Sequence, residues 1–332
     1  MKFAILGAGN WGTTAALLLH GNGHTVSMWE FFEDRVREIL RDRENRRFLP
    51  GVTISEDLTV TSDIGAAVKG AEAVVFVVPS PFMRDTARAV AGSGAMGVGA
   101  IAVSLSKGLE HGSLKTMTDV IGEELPGRRY VAMSGPCIAS EVARRQPTTI
   151  VAASDDHAAA EHIQDCFMTP YFRVYTLDDP RGVQLGGALK NIVAVAAGIN
   201  DGLGFGANSK SALVTRGILE IKRFGESLGA HHETFNGLSG IGDLVTTCFS
   251  AHSRNRRLGE EIGRGRSLEE VLGKMVMVAE GVHMARTVYE YAAPRGIDMP
   301  ITEKVYRILF EEMPAREAVS DLMLRDKKPE RY

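Results

Sequence analysis

The chain has 332 residues, of which 44% are hydrophobic and 24% charged, and its formal net charge is −3. This composition is typical of a globular protein, and the length predicts two domains. The small net charge argues against nucleic acid or an anionic membrane as a partner, and we find no apolar run long enough to span a bilayer. The three cysteines are far apart without a C-x-x-C pair, so neither a metal site nor a disulfide framework is predicted. A cytoplasmic location without a signal peptide is expected.

The first element is a short apolar strand, Lys2–Leu6, followed by glycines spaced as G-x-G-x-x-G and by a helix over Thr13–His20. This pattern is typical of a dinucleotide-binding turn. Gly7 permits the tight turn, Gly9 lets the backbone approach a pyrophosphate, and Gly12 allows close helix packing. The unpaired N–H groups at the helix start favour an anion. The alternative is an ordinary glycine turn before a helix.

A second strand, His24–Trp29, ends in Glu30, about twenty residues beyond the glycines, where an acidic side chain binds the ribose hydroxyls. A carboxylate at this place repels a 2′-phosphate, so the sequence favours NAD(H). Arg35 and Arg37 follow closely enough to serve NADP(H), and that alternative stays open.

The first half of the chain then alternates strands with helices, beginning with a helix over Glu33–Arg43. This alternation predicts an α/β fold, a Rossmann-type, mostly parallel sheet with helices on both faces. Ligands of such sheets bind beyond the carboxyl ends of the strands. The further predicted strands are Thr59–Val60, Ala73–Val78, Ala100–Ser104, Arg129–Met133, Thr148–Ala153 and Phe172–Thr176.

From Val183 onward the apolar residues recur at helical spacing and strand patterns are missing. Proline suits the first turn of a helix, so Asp179 and Pro180 mark a helix start. We therefore predict a dinucleotide-binding domain over 1–180 and an all-helical substrate-binding domain over 181–332.

Two lysines are candidates for ligand binding or proton transfer. Lys107 follows the strand Ala100–Ser104 and precedes a glycine, so its ammonium can meet a phosphate or the cofactor, unless it is a surface lysine of a loop. Lys190 lies in an apolar, glycine-rich helical segment, where burial is expected to lower its pKa towards the working pH. Such an amine can exchange a proton with an alcohol. The alternative is a lysine that extends to solvent.

Two polar segments follow in the helical half. The glycine-dense segment 237–243 ends in Asp243, which either holds Lys190 in place or caps the next helix. Ser253 is a predicted N-cap, which puts Arg254 and Asn255 in the first turn of a helix. A helix N-terminus with an arginine and an amide suits a phosphate, although a basic surface patch is the alternative.

Taken in order, these segments resemble the bacterial-type NAD(P)-dependent sn-glycerol-3-phosphate dehydrogenases, over nearly the whole chain. The most specific motifs are GAGNWG (7–12), SKGLE (106–110), SGP (134–136), GVQLGGALKN (182–191), GFGAN (204–208), GDL (242–244), SRNRR (253–257) and EG (280–281).

The resemblance implies that Lys190 and Asp243 are catalytic, with Lys190 accepting the proton in glycerol-3-phosphate oxidation. The implied substrate-binding residues are Lys107, Gly135, Cys137, Lys190, Asp243, Ser253, Arg254 and Asn255. The dinucleotide-binding residues are Gly7, Gly9, Asn10, Trp11, Gly12, Glu30, Phe31, Pro79, Lys107, Ala139, Arg254, Val278 and Glu280.

Two positions depart from the family pattern. Cys137 stands where the family usually has a substrate-binding hydroxyl, and a thiol is a weaker donor. Phe31 stands where many relatives have a polar or basic side chain near the adenosine ribose. Since Phe31 offers no partner for a 2′-phosphate, it strengthens the preference for NAD(H).

The resulting hypothesis is reversible reduction of dihydroxyacetone phosphate to sn-glycerol 3-phosphate for glycerophospholipid synthesis. The substrate is expected between the two domains, with its phosphate at Arg254 and Asn255 and its carbonyl at Lys190, while Asp243 offsets the ammonium. We also expect a homodimer and no metal. The alternatives are a dehydrogenase of another small phosphorylated alcohol or hydroxyacid, a non-catalytic dinucleotide sensor, and nucleic-acid binding through 253–257, which the missing basic surplus disfavours.

Overall fold

The computed structural model describes residues 1–275, 279–327 and 329–330. Its chain divides into two compact units, which we call the first and the second unit. The first unit comprises 1–187 and 230–243, and the second comprises 188–229 and 244–332. Each unit is therefore discontinuous in sequence, whereas the predicted division after residue 180 is a single cut. That predicted boundary stays a prediction.

The first unit contains an eight-stranded sheet in the order β10-β9-β8-β7-β6-β1-β2-β5, counted over the described residues. All neighbouring strands pair in parallel except β8 and β9, which are antiparallel, so the predicted mostly parallel sheet is confirmed. A separate hairpin of β3 and β4 was not predicted. The strands are β1 (Lys2–Leu6), β2 (Thr25–Trp29), β3 (Glu44–Asn45), β4 (Leu49–Thr53), β5 (Thr59–Thr61), β6 (Ala73–Phe76), β7 (Ile101–Ser104), β8 (Arg129–Ser134), β9 (Thr148–Ala153) and β10 (Phe172–Leu177).

The central strands are apolar throughout because both faces of the sheet are covered. In β1, Phe3 and Ile5 belong to the apolar core on one face, while Ala4 and Leu6 belong to the core on the other. All four side chains are fully buried. Successive side chains of a strand point to opposite faces, so a continuous apolar run is what a doubly covered sheet requires.

Seven helices connect these strands within the described residues. They are α1 (Asn10–Gly21), α2 (Glu33–Asp42), α3 (Ile64–Val68), α4 (Met83–Ser93), α5 (Met117–Glu124), α6 (Ala139–Ala143) and α7 (His157–Phe167). Their starts follow local chemistry: α5 begins with a capping box in which Thr116 and Asp119 satisfy each other's backbone N–H groups. Helix α1 begins at Asn10, three residues before the predicted start, because Gly9 is its N-cap.

After Leu177 the regular elements of the described residues are all helices, which confirms the predicted helical C-terminal region. The helices are α8 (Pro180–Gly202), α9 (Ala207–Ser227), α10 (Asp243–Phe249), α11 (Arg254–Gly263), α12 (Leu268–Leu272), α13 (Glu280–Ala292), α14 (Pro300–Phe310) and α15 (Ala315–Met323). Helix α8 starts as predicted, since Asp179 precedes it and accepts a hydrogen bond from the backbone N–H of Gly182 at 2.8 Å.

Helix α8 corrects one expectation from the sequence. Its 23 residues are long and apolar enough to cross a membrane by length and composition, although no such run was predicted. In the structure, 94% of its most apolar window is buried inside the protein. A helix that is apolar on all sides is typical of a protein core as well as of a membrane span.

Candidate active-site residues

The glycine turn between β1 and α1 has the geometry that the motif predicts. Gly7 has φ +117°, a conformation that side-chain-bearing residues rarely adopt. A Cβ added at Gly12 would lie 1.8 Å from the carbonyl oxygen of Gly7, so only glycine fits there. Asn45 supports the turn from the hairpin, since its Nδ2 donates to the carbonyl oxygen of Ala8 at 2.7 Å.

The residues after this turn are held by local hydrogen bonds. The side-chain oxygen of Asn10 accepts from the backbone N–H of Trp11 at 2.8 Å. One turn later, Thr14 donates to the carbonyl oxygen of Ala139 at 3.3 Å, which brings the start of α6 to α1. Two residues of the predicted dinucleotide site, Trp11 and Ala139, therefore lie on adjoining helix starts. Pro79 directly precedes a short turn of helix after β6.

Three buried polar atoms near the carboxyl ends of the strands lack a hydrogen-bond partner in the described structure. They are the indole Nε1 of Trp11 and the hydroxyls of Ser104 and Ser134. Ser104 and Ser134 are the last residues of the neighbouring strands β7 and β8. Buried polar groups without partners are rare and call for an explanation. Their position is the edge at which ligands of parallel sheets bind.

The end of β2 carries the predicted ribose-binding carboxylate. Glu30 is buried and accepts from the backbone N–H of Phe32 at 3.1 Å. Arg35 lies 3.5 Å from the same carboxylate oxygen and stacks on the ring of Phe32. Arg37 is held by Glu33 and Asp34 of its own helix. Both arginines considered for NADP(H) are thus engaged with carboxylates, and Phe31 is 70% exposed.

Lys107 is the centre of a polar cluster in the first unit. Its Nζ donates to a carboxylate oxygen of Asp243 at 2.7 Å and to the carbonyl oxygen of Gly135 at 2.9 Å, and it lies 3.4 Å from the Sγ of Cys137. Burial opposes the ammonium, but Asp243 and Cys137 outweigh it, so the pKa of Lys107 is raised. Lys107 is therefore a permanent positive charge at neutral pH.

The backbone positions this cluster tightly. Gly135 has φ +149°, and a Cβ there would approach the backbone of the neighbouring strand β9 to 3.0 Å. At Gly187 in α8, an added Cβ would lie 2.5 Å from the hydroxyl of Ser134 and 3.4 Å from the side chain of Lys107. Glycine at 187 therefore gives the Lys107 side chain its space, and glycine at 135 lets the chain after β8 lie close to β9.

Lys190 belongs to the second unit, and its side chain is buried rather than extended to solvent. Its Nζ donates to the hydroxyl of Thr247 in α10 at 2.5 Å. The predicted pairing of Lys190 with Asp243 stays a prediction. Thr247 was not predicted as a site residue. It lies four residues after Asp243, on the same face of a helix, and this spacing is the signal that the sequence offered.

An amide network joins three helices of the second unit. Asn255 in α11 donates from Nδ2 to the side-chain oxygen of Asn191 in α8 at 2.8 Å, and its own oxygen accepts from the backbone N–H of Gly281 at 2.9 Å. Neither Asn191 nor Gly281 was predicted as a site residue. The network places the start of α13, and with it Glu280, beside the first turn of α11.

The start of α11 has the predicted capping geometry. Ser253 is the N-cap, and its hydroxyl accepts from the backbone N–H of Arg256 at 3.2 Å. Burial lowers the pKa of the Arg254 guanidinium, and the charge of Glu280 opposes part of that shift. Since α11 begins at Arg254, Arg254 and Asn255 lie in its first turn, as predicted. Val278 lies outside the described residues.

Among residues 1–275, 279–327 and 329–330, no group of three or more His, Cys, Asp or Glu side chains is arranged to hold a metal ion. Cys137, Cys166 and Cys248 form no disulfide bond.

Comparison with known families gives two matches that together cover most of the chain. Residues 2–160 match the family described as NAD-dependent glycerol-3-phosphate dehydrogenase N-terminus. Residues 179–320 match the family described as NAD-dependent glycerol-3-phosphate dehydrogenase C-terminus.

The similar proteins and solved structures include several named glycerol-3-phosphate dehydrogenase. The chain is 48% identical to glycerol-3-phosphate dehydrogenase [NAD(P)+] of Chlorobium luteolum over 334 residues, covering 100% of both chains. It is also 48% identical to the enzyme of that name from Pelodictyon phaeoclathratiforme, again over 100% of both. Among solved structures, glycerol-3-phosphate dehydrogenase from Coxiella burnetii is similar, with a TM-score of 0.93, 36% identity and coverage of 98% of this chain and 99% of that one.

Proposed function

Because the chain belongs to the NAD(P)-dependent glycerol-3-phosphate dehydrogenase family, we propose that it reduces dihydroxyacetone phosphate to sn-glycerol 3-phosphate and catalyses the reverse oxidation. The observation that carries the proposal is a buried amine, Lys190, in the same unit as the arginine and amide of the α11 first turn. An amine that moves protons and an anion-binding helix start are the two groups that a phosphorylated ketone requires.

The residues at the start of the first unit fit a nicotinamide dinucleotide. The α1 N-terminus is open to a pyrophosphate, because Gly9 has no side chain and the space beside it is empty of described protein atoms. Trp11 and Ser134 add polar atoms without partners to the same edge of the sheet. When bound, the reduced dinucleotide supplies the hydride that the carbonyl carbon of the substrate receives.

Glu30 is the residue that we assign to the choice of dinucleotide. Its carboxylate is held by the backbone N–H of Phe32 and by Arg35, so it is oriented before any ligand binds. A fixed carboxylate accepts hydrogen bonds from ribose hydroxyls and repels a 2′-phosphate. We therefore favour NAD(H). Use of NADP(H) requires Arg35 to leave Glu30 and turn towards the phosphate.

Lys190 is the proton donor in the proposed reduction. As the carbonyl carbon gains a hydride, its oxygen becomes an alkoxide and takes a proton from Nζ of Lys190. The neutral amine is then reprotonated from solvent, and the oxidation runs through the same steps in reverse. Thr247 accepts a hydrogen bond from Nζ and so holds the amine in one direction throughout this cycle.

The phosphate of the substrate is assigned to the first turn of α11. Arg254 supplies a guanidinium for charge-assisted hydrogen bonds. Asn255 uses one Nδ2 hydrogen on Asn191, and we assign its second hydrogen to a phosphate oxygen. Ser253 completes the turn as its N-cap. Because Arg254 is also assigned to the dinucleotide, together with Glu280, it can couple the binding of the two ligands.

Lys107 is the second cation that we assign to the substrate. It keeps its proton because Asp243 lies beside it, so it binds an oxygen of the substrate without exchanging protons. Gly135 and Cys137 position its ammonium. We assign a catalytic role to Asp243 because its carboxylate balances the charge of the Lys107 ammonium.

The test is a spectrophotometric assay of the purified protein with dihydroxyacetone phosphate and either NADH or NADPH. We expect rapid loss of reduced-nicotinamide absorbance, faster with NADH, and little loss with unphosphorylated dihydroxyacetone. Equal rates with the two ketones would reject the phosphate assignment, and a strong preference for NADPH would reject the assignment of Glu30. Turnover of a different phosphorylated ketone or a keto acid alone would favour a related dehydrogenase.

A supply of sn-glycerol 3-phosphate to glycerophospholipid synthesis, a cytoplasmic location and a homodimer stay predictions. The three cysteines without disulfide bonds support a reducing compartment, since disulfides are rare there. Light scattering on the eluted protein tests the homodimer, and a mass of about 36 kDa, that of one chain, would contradict it.

A further inference from the structure

Within the second unit, helix α11 crosses the C-terminal part of α8 with the two backbones in contact. A Cβ added at Gly198 or Gly202 of α8 would lie 1.9 or 2.2 Å from carbonyl oxygens of α11. From the other side, a Cβ at Gly259 or Gly263 of α11 would lie 2.0 or 2.5 Å from carbonyl oxygens of α8. Both pairs are spaced i, i+4, so they form one face of each helix. Helix α11 can therefore move along α8 only by breaking this fit.

An ionic cluster lies beside the crossing of α8 and α11. Arg256 of α11 donates from Nε to Asp201 of α8 at 2.6 Å, and Lys210 of α9 donates to the same carboxylate at 2.8 Å. The three side chains are between 10% and 18% exposed. Removing one partner of such a cluster leaves a charge poorly solvated, so the cluster holds its geometry.

Arg256 connects this cluster to the first turn of α11. Its backbone N–H is the group that Ser253 caps, and it follows Arg254 and Asn255 directly. Asn255 is tied to α8 through Asn191. The first turn of α11 is thus attached to α8 at two points, and α8 is the helix that carries Lys190.

We infer that Asp201 and Arg256 are positioning residues that hold the phosphate-binding turn of α11 at a set distance from Lys190. The inference rests on the proposed function, because it assigns the substrate phosphate to Arg254 and Asn255. The pair does not touch the substrate. It orients the groups that do, and misplaced donors make weaker charge-assisted hydrogen bonds to the phosphate.

Arg257 provides a matched control for this inference. It is the next residue of the same helix and carries the same charge, but its side chain is exposed. If substrate binding weakens only because positive charge near the phosphate is removed, KM rises alike in Arg256→Gln and Arg257→Gln. If it weakens because the phosphate-binding groups are misplaced, KM rises in Arg256→Gln alone.

The experiment measures kcat and KM for dihydroxyacetone phosphate in Arg256→Gln, Asp201→Asn, their double variant and Arg257→Gln. We expect KM to rise roughly tenfold or more in each single variant of the pair, because hydrogen bonds to the charged phosphate weaken, with kcat changed only a few-fold. The double variant should be no worse than the poorer single one, because the two residues act as a unit. Arg257→Gln should match the wild type.

Arg256→Lys keeps the charge and serves if Arg256→Gln does not fold; its KM should rise less. The inference is overturned if the pair variants match Arg257→Gln, or if the loss falls on kcat with KM unchanged. Failure of the proposed function is a separate result, namely a wild-type protein that does not reduce dihydroxyacetone phosphate. In that case the rise in melting temperature with inorganic phosphate, compared across the same variants, tests the positioning independently.

Discussion

Lys107 and Lys190 are both largely buried lysines, yet their surroundings differ. Lys107, in the first unit, faces the carboxylate of Asp243, whereas Lys190, in the second unit, donates to the hydroxyl of Thr247. A carboxylate stabilises an ammonium and favours its charged form. The comparison teaches that burial does not by itself define the role of a lysine, because each buried amine is oriented by a side chain of α10, Asp243 for Lys107 and Thr247 for Lys190.

The largest expected effect is from Lys190→Met, which keeps the length of the side chain and removes the amine. We expect kcat to fall between about 100- and 10,000-fold, because a positioned proton donor contributes that much to the rate. KM should change far less, since the amine acts mainly in the transition state. Steady-state kinetics with dihydroxyacetone phosphate measure both. Unaltered kcat would remove Lys190 from the chemistry, and dinucleotide binding followed by fluorescence is the control.

The next effect is from Lys107→Met. Loss of the cation should lower kcat/KM on the order of 100-fold, and loss of the buried ion pair with Asp243 should cost up to about 3 kcal/mol of unfolding free energy. In an Asp243→Leu background the same change at Lys107 should cost much less stability, because the ion pair is already absent. Urea unfolding of the two single variants and the double variant measures this difference, and kinetics measure the loss of activity. An equal stability cost of Lys107→Met in both backgrounds would contradict the ion-pair explanation.

A smaller effect is expected from Thr247→Val, which keeps the shape of the side chain and removes its hydroxyl. We expect kcat to fall about tenfold, because Nζ of Lys190 loses the oxygen that orients it. The pH profile of kcat should also move, which a change in packing alone would not cause. Thr247→Ser restores the hydroxyl and should recover activity, and failure of that rescue would count against the positioning role.

The smallest effect on activity is expected at Glu220, another buried ionisable group. Its carboxylate accepts from the backbone N–H groups of Ile301 and Thr302 at the start of α14, and the charge of Arg223 favours the ionised form. Burial raises the pKa of Glu220 from 4.5 to about 7. The folded state therefore binds this proton more tightly than the unfolded state does.

The stability that Glu220 contributes is complete below pH 4.5 and is lost as pH rises through about 7. The loss amounts to roughly 3 kcal/mol. Glu220→Gln cannot titrate, so its unfolding free energy should vary less over this range, while kcat stays near the wild-type value. Urea unfolding at several pH values tests this, and parallel curves for the two proteins would rule it out.

Much of the first unit could be predicted from local sequence. The β1 to β2 segment and its glycine turn were predicted because continuous apolar strands and special glycine conformations leave local patterns. The hairpin of β3 and β4 was missed because β3 has only two residues and its residues show no alternating pattern. The antiparallel pairing of β9 with β8 could not be predicted, since the direction of a strand in a sheet is set by its connections.

The candidate site was predicted only in part. The motifs identified Lys107, Lys190 and the turn around Ser253 and Asn255, because motif residues recur in a recognisable order. Their partners were not identified. Asn191 and Gly281 meet Asn255 from positions far along the chain, and no local pattern indicates such a meeting.

The sequence alone determined the class of fold, the dinucleotide-type turn and the family, because these depend on the conformations of neighbouring residues and on the order of motifs. Tertiary structure decided which partner each buried amine meets, since Asp243 is 136 positions from Lys107 and Thr247 is 57 from Lys190. It also decided the backbone contact of α8 with α11. Burial and charge pairing depend on distance in space, and packing brings distant segments together only when the whole unit folds.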